Sequence, residues 1–181
     1  MFAPAHLVIG LPLVVGAVTS GWAGLAWGAV AAGLCGGIPA GVIAVGVKSG
    51  RFGNRHLTDR SQRPWLVGVI AALVVAALAL LAVLGAPRVM VVCVAIMLAT
   101  LAVVGPITLV WKISFHTAVA GGSVVMLARI LPAVPVYVVG VLLVVVIGWS
   151  RARIRDHTPA QAAAGAAAGG AATWVTLALL G

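Results

Sequence analysis

The sequence predicts an all-α, polytopic integral membrane helix bundle of about six to seven transmembrane helices. Hydrophobic residues make up 64% of the 181 and charged ones 7%, against roughly 25% charged in a soluble domain, and mean hydropathy is +1.26. A soluble core cannot take in that much apolar surface. The apolar residues also come in runs close to the roughly 20 that one helix needs to cross the hydrocarbon. Polar residues are confined to short segments between those runs. The whole of 1–181 therefore reads as one transmembrane domain, with a helical hairpin over 1–47 followed by a larger part over 48–181.

Taken in order, Leu7 to about Ser20 is the first span, with Pro12 expected to bend it. Its apolar start lacks a basic leader and cleavage pattern and reads as a span, not as a removed signal. Gly21 to Gly24 is expected to turn the chain into a second run that ends near Val47. Lys48 to Pro64, KSGRFGNRHLTDRSQRP, is the one long polar segment. Trp65 to Ala86, closed by Pro87, and Val89 to Trp111 are the clearest spans. After Lys112 a shorter helix runs from roughly Ser114 to Leu131, with Pro132 and Pro135 marking the turn that follows. Val136 to Trp149 leads into SRARIRDHTPAQ, and a small-residue helix spans about Pro159 to Leu180. Gly165 and Gly169 form a GxxxG in that helix, a spacing that lets helices approach closely, either within the chain or across a homodimer.

Net charge is +9, from eleven Lys and Arg against Asp59 and Asp156, with no Glu. So few carboxylates argue against a carboxylate-built metal site, and Cys35 and Cys93 lie inside apolar runs, where a thiol behaves as a small hydrophobe. No metal and no cofactor is expected. A basic balance can signal nucleic acid, but these cations sit between membrane spans, and lipid headgroups or phosphorylated lipids are the partners expected in its place.

Parity orders the polar segments. Two spans separate the 48–64 segment from Lys112, and two more separate Lys112 from Ser150, so all three emerge on one side. Trp65, Trp111 and Trp149 each adjoin one of these segments, where an interfacial aromatic belt belongs. The opposite turns carry only Arg88 and Arg129, so nine of the eleven cations share a face. His56, His116 and His157 accompany Arg63, Lys112 and Arg151 there. An isolated interfacial histidine is ordinarily a polar cap. Three on one face, each near a cation and almost without acids, leave positive charge that an anion would pair, and phosphate suits the planar fork of Arg.

These residues resemble the type 2 phosphatidic acid phosphatase superfamily, which includes vanadium haloperoxidases and whose signatures read KxxxxxxRP, PSGH and SRxxxxxHxxxD. Ser150, Arg151 and His157 match the third with correct spacing, Ser114 and His116 match the second within ISFH, and Arg63 with Pro64 matches the end of the first, His56 standing at its lysine. Gln161 replaces the final aspartate, Phe115 replaces the glycine, and two full spans separate the first and second signatures. The resemblance makes 48–181 the phosphatase-like part. It implies hydrolysis of a phosphate ester through a phosphohistidine, without metal. His157 would be the nucleophile, His116 the acid that protonates the leaving alkoxide, and Gln161 the residue orienting His157. Arg63, Arg151, Ser114 and Ser150 would hold the phosphoryl oxygens. Lys112 reads either as a substitute for the missing lysine or as an anchor that snorkels to headgroups, and His56 either as a phosphate ligand or as a loop residue.

The positive-inside tendency puts the cationic face in the cytoplasm. Without Arg63, Lys112 and Arg151 the count is still six against two. A site at headgroup level suits an amphiphile whose phosphate stays at the interface, and an isoprenoid phosphate ranks ahead of phosphatidic acid or phosphatidylglycerol phosphate. The Ala-, Val-, Gly- and Arg-rich composition suits a bacterial inner membrane. The alternative is a catalytically silent protein of the same fold that binds or transports a lipid phosphate.

Overall fold

A computed structural model describes residues 4–49 and 63–181, so His56 and the side chain of Arg63 lie outside the described residues. Among those described, every regular element is helical: α1 (Pro4–Ala32), a π segment (Gly33–Gly37), α2 (Ile38–Lys48), α3 (Arg63–Val83), α4 (Arg88–Val110), α5 (Phe115–Ile130), α6 (Ala133–Arg153) and α7 (Pro159–Leu180). Valine-rich runs such as α6 are modest helix formers in water. In hydrocarbon they have no alternative, because each backbone N–H and C=O must be satisfied within its own segment. Five helical segments are long and apolar enough to cross a membrane, while α5, at 16 residues, is shorter.

The first apolar stretch is not one rod. Ser20 (φ −142°) and Gly21 (φ 57°) break the helical path, and beyond them the chain folds back on itself. Gly24 lies against Gly16 and Gly28 against Pro12, backbone to backbone, and Ile9 covers Gly36. The turn expected at Gly21–Gly24 therefore sits at Ser20–Gly21. Gly21 takes the positive φ that glycine adopts without steric cost, and Gly24 serves the contact between the two arms. Pro12 lies inside its arm with no break in helical geometry there.

Gly85 (φ 72°) ends α3 in a Schellman motif, with Ala86 N–H donating to Leu81 O and Gly85 N–H to Ala82 O, and Pro87 then starts α4. The two helices run antiparallel, which returns Gly105 of α4 to Val67 of α3 and places the start of α3 beside the end of α4. At the other end Arg88 Nη2 donates to Leu180 O at 3.0 Å, tying the α3–α4 turn to the end of α7. The termini of the helices thus sort onto two faces as parity requires. On the periphery α6 is covered least: Leu142 is 62% and Val145 60% exposed, the surface of a helix solvated by lipid.

At the centre stands α5, packed against α7, α6, α4 and α1. Its contact with α7 is closest. Gly165 lies on the Ser114 carbonyl and Gly169 on the Ala118 carbonyl, while a Cβ at Gly121 would come within 2.5 Å of Ala166 O. Without a hydrophobic drive between helices in lipid, such close backbone approach supplies dispersion contact that larger side chains would prevent. The GxxxG spacing packs within the chain. Gly169→Val is expected to destabilise the protein by roughly 1–3 kcal/mol through overpacking. Gly170→Ala, one residue on and in open contact with Val125, should be neutral or stabilising by up to about 1 kcal/mol. Thermal unfolding of the two variants in one detergent checks the contrast.

Candidate functional site

The close crossing of α5 and α7 brings two helix N-termini together at the cationic face. Ser114 is the N-cap of α5, its Oγ accepting from Thr117 N–H, and its own N–H donates to Gln161 O of α7 at 3.3 Å. Thr117 Oγ1 donates to Ala162 O at 2.7 Å, a second strut between the same helices. Gly148 of α6 rests against Thr117 and Ala162. Arg151, three residues further along α6, therefore lies on the face turned towards both N-termini. The first amides of a helix have no intrahelical acceptor and carry the positive end of its dipole, so this corner is electropositive before any side chain is counted.

The segment that carries His157 is held by a capping motif on either side. After α6, Arg155 N–H donates to Ala152 O and Asp156 N–H to Arg151 O, a Schellman motif like the one that ends α3. Here the left-handed position is Arg155, φ 56°, and not a glycine, at a cost on the order of 1 kcal/mol. His157 N–H also donates to Arg151 O. A capping box then opens α7: Gln161 N–H donates to Thr158 Oγ1 and Thr158 N–H donates to Gln161 Oε1, with Pro159 at the first helical position. Between the two motifs only Asp156 and His157 project, and neither is in a helix.

His157 Nδ1 lies 3.0 Å from the carbonyl oxygen of Lys112, at the α4–α5 link. A carbonyl only accepts, so Nδ1 carries the proton and the neutral ring keeps its lone pair on Nε2. Lys112 Nζ in turn donates to Asp156 Oδ1 at 2.9 Å and to Asp156 O at 2.6 Å, and Asp156 Oδ2 stands 3.6 Å from His157 Nε2. Burial holds the pKa of His157 below its ordinary 6.5. The bond to the Lys112 carbonyl and the Asp156 charge oppose that, the Lys112 ammonium adds to it, and a hydrogen bond from the ring to the Gln161 side chain opposes it most weakly. At neutral pH the imidazole is uncharged.

Arg151 is 3% exposed, and its Nε has no hydrogen-bond partner among the described residues. A buried guanidinium with an unmet donor costs several kcal/mol unless an anion completes it. Among the residues singled out in the sequence, Ser114, His157, Gln161, Lys112 and Arg151 converge at this corner. Ser150 is half-buried in the last turn of α6, and its carbonyl accepts from Ile154 N–H. His116 occupies the first turn of α5, half-buried. Arg63 begins α3, one turn before Val67, and so at the same end of the bundle as Lys112.

The Gln161 amide oxygen is engaged by the capping box, and the group on His157 Nδ1 is the Lys112 carbonyl. The T-x-x-Q spacing of Thr158 and Gln161 announces that box in the sequence. The Lys112–Asp156 pair, 44 residues apart, has no comparable local signal. Among the described residues no three His, Cys, Asp or Glu side chains gather to hold a metal. Compared with models of protein families, with curated proteins and with solved structures, the chain finds no match.

Because the folded pKa of His157 lies below the unfolded value, the unfolded chain binds a proton that the folded one refuses, and stability falls as pH drops below about 6.5. Above that pH the contribution is constant. Thermal unfolding at pH 7.5 and 5.5 should show a lower midpoint in acid, and His157→Gln should reduce that difference.

Proposed function

We propose that this protein is a phosphatase of the membrane interface that hydrolyses a lipid phosphate monoester or diphosphate, an isoprenoid phosphate first among them, as its resemblance to the type 2 phosphatidic acid phosphatases implies. The observation that supports this reading is a neutral His157 held by Nδ1 on the Lys112 carbonyl, which leaves the ring's lone pair on Nε2, in the segment that follows the buried and incompletely paired Arg151. Phosphoryl transfer asks mainly for positioning and for stabilisation of charge on the equatorial oxygens. Arg151, Arg63, Ser114 and the first amides of α5 are the groups suited to the second task.

In the reaction, Nε2 of His157 attacks phosphorus in line. The N–P bond forms as the P–O bond to the lipid breaks, and the departing alkoxide takes a proton from His116 in its imidazolium form. Water then adds to the phosphohistidine with His116 as base. The N–P bond breaks, and inorganic phosphate and neutral His157 result. The lipid tail stays among the apolar helices throughout, so only the headgroup need enter the electropositive corner. The excess of Lys and Arg supports a cytoplasmic orientation of that corner, and the composition supports a bacterial inner membrane.

A second reading, a silent lipid-phosphate binding protein, is favoured by one feature. The group on Nδ1 is a carbonyl, which orients the ring but offers no full negative charge to an imidazolium.

Purified protein in detergent is expected to release phosphate from a polyprenyl or glycerolipid phosphate in the presence of a chelator. His157→Ala should lower turnover by about 10³-fold or more, and unchanged turnover would exclude the assigned nucleophile. Arg151→Lys, which removes the planar fork, should lower kcat/KM by roughly 10- to 100-fold. Lipid binding that depends on Arg151 without any release of phosphate would favour the silent reading.

A further inference from the structure

Asp156 is one of only two acids in the chain, and it is the one group that touches both Lys112 and the surroundings of His157 Nε2. A carboxylate 3.6 Å from the nitrogen that must meet a phosphate is unfavourable there unless it serves another purpose. Its partner shows what that purpose is. Lys112 Nζ makes two bonds to Asp156, one to the side chain and one to the backbone carbonyl, while the backbone carbonyl of the same Lys112 receives Nδ1–H of His157. The α4–α5 link and the α6–α7 link are thus joined at adjacent residues through one lysine, by its ammonium to Asp156 and by its carbonyl to His157. The ring closed by these contacts is small: Lys112 side chain, Asp156, the peptide to His157, the imidazole, and back to Lys112 O.

We propose that the Lys112–Asp156 pair is a positioning latch that sets the tautomer and the rotation of the His157 ring. It does so by bringing the backbone carbonyl of Lys112 onto Nδ1, a task the resembled family gives to a carboxylate. This deepens the phosphatase reading and takes from it only the importance of Nε2. Three geometric facts support the latch. The link from Trp111 to Ser114 is not helical, and its short hydrogen bond, Ile113 N–H to Trp111 O, leaves the Lys112 carbonyl turned outward to accept. On the other side Arg155 spends a left-handed backbone conformation to bring Asp156 and His157 round to that carbonyl. Finally, the Asp156 carboxylate is compensated by the Lys112 ammonium at 2.9 Å, which reduces the repulsion it would exert on an anion approaching Nε2.

The same pair explains why neither reading of Lys112 from the sequence is sufficient: its ammonium neither reaches out to headgroups alone nor stands free for phosphate, since it is held on Asp156. Lys112 and Asp156 are accordingly positioning residues. Their loss should move the state of the imidazole whether or not a substrate is present.

The test reads that state directly. With four histidines in the chain, ring ¹⁵N spectra of the full-length protein in detergent can be assigned by comparison with His157→Gln. In the wild type His157 should appear at pH 7.5 as the Nδ1–H tautomer almost alone. Lys112→Met, which removes both bonds to Asp156, should release it to a mixture in which the Nε2–H form, preferred by solvent-exposed imidazoles, predominates, and Asp156→Ala, which leaves the bond from Lys112 Nζ to the backbone carbonyl, should release it in part. Lys112→Arg, which keeps the donor, should retain the wild-type spectrum. Elution profile and thermal midpoint, measured on each sample, identify any variant that has not folded, and the other variant then decides.

An unchanged Nδ1–H tautomer in either folded variant overturns the latch. Turnover is a separate readout: if the wild type hydrolyses a lipid phosphate, the released variants should lose about 10²- to 10⁴-fold in kcat, the range that misplacement and a wrong tautomer give in other enzymes. If the wild type shows no turnover but the tautomer shifts as described, the latch stands and the phosphatase reading falls.

Discussion

Where α5 and α7 cross, the two backbones are in contact, and most of what surrounds the candidate site follows from that. Gly165 and Gly169 have no Cβ to hold the helices apart, so Ser114 and Ala118 carbonyls rest directly on α7. The approach fixes the relative height of the two helices, because the Ser114 N–H must reach Gln161 O and the Thr117 hydroxyl must reach Ala162 O. Both N-termini then end at one level on one face. In a bilayer such contact has to supply what the hydrophobic effect supplies in water. Hence the smallest residues of the chain, and not the largest, sit at its most constrained interface.

Electrostatics completes the corner that packing creates. Two helix N-termini, Arg151 and Lys112 concentrate positive potential in a partly dehydrated place, and the chain offers one described carboxylate, Asp156, to offset it. Lys112 takes that carboxylate, and Arg151 is left with a donor unmet. A guanidinium so placed has already undergone desolvation, and any charge-assisted hydrogen bond it makes is stronger for it. The same dehydration keeps His157 neutral. The unmet donor of Arg151 and the uncharged imidazole of His157 both follow from one physical condition, the exclusion of water.

Much of the architecture was legible because the bilayer leaves few choices. Runs such as Trp65–Ala86 and Val89–Trp111 had to be helices, and parity alone put the start of α3, Lys112 and Ser150 on one face, as the contact of Gly105 with Val67 and that of Gly148 with Ala162 now make concrete. The first stretch was legible less fully. Gly21 and Gly24 are both glycines in a short span, and only the contact between Gly16 and Gly24 reveals that one makes the turn and the other the interface. For the candidate site, Ser114, Arg151 and His157 are singled out by their spacing, and the fold brings them to one corner. What Asp156 meets depends on the loop: adjacent side chains diverge on a helix, and Asp156 comes near the His157 ring only because the chain leaves helical geometry at Arg155.

Sequence by itself determined that this chain is a membrane bundle with a one-sided cationic face, because hydropathy, run length and the parity of spans are properties of order along the chain and need no contact to be evaluated. Tertiary structure alone decided how that face is wired. Which acceptor orients His157, what Lys112 holds and where the amide of Gln161 is spent all depend on bonds between residues more than forty positions apart, or on which of several local partners wins. Such choices are made by the distance between α5 and α7, and that distance is set by Gly165 and Gly169, where the two backbones meet.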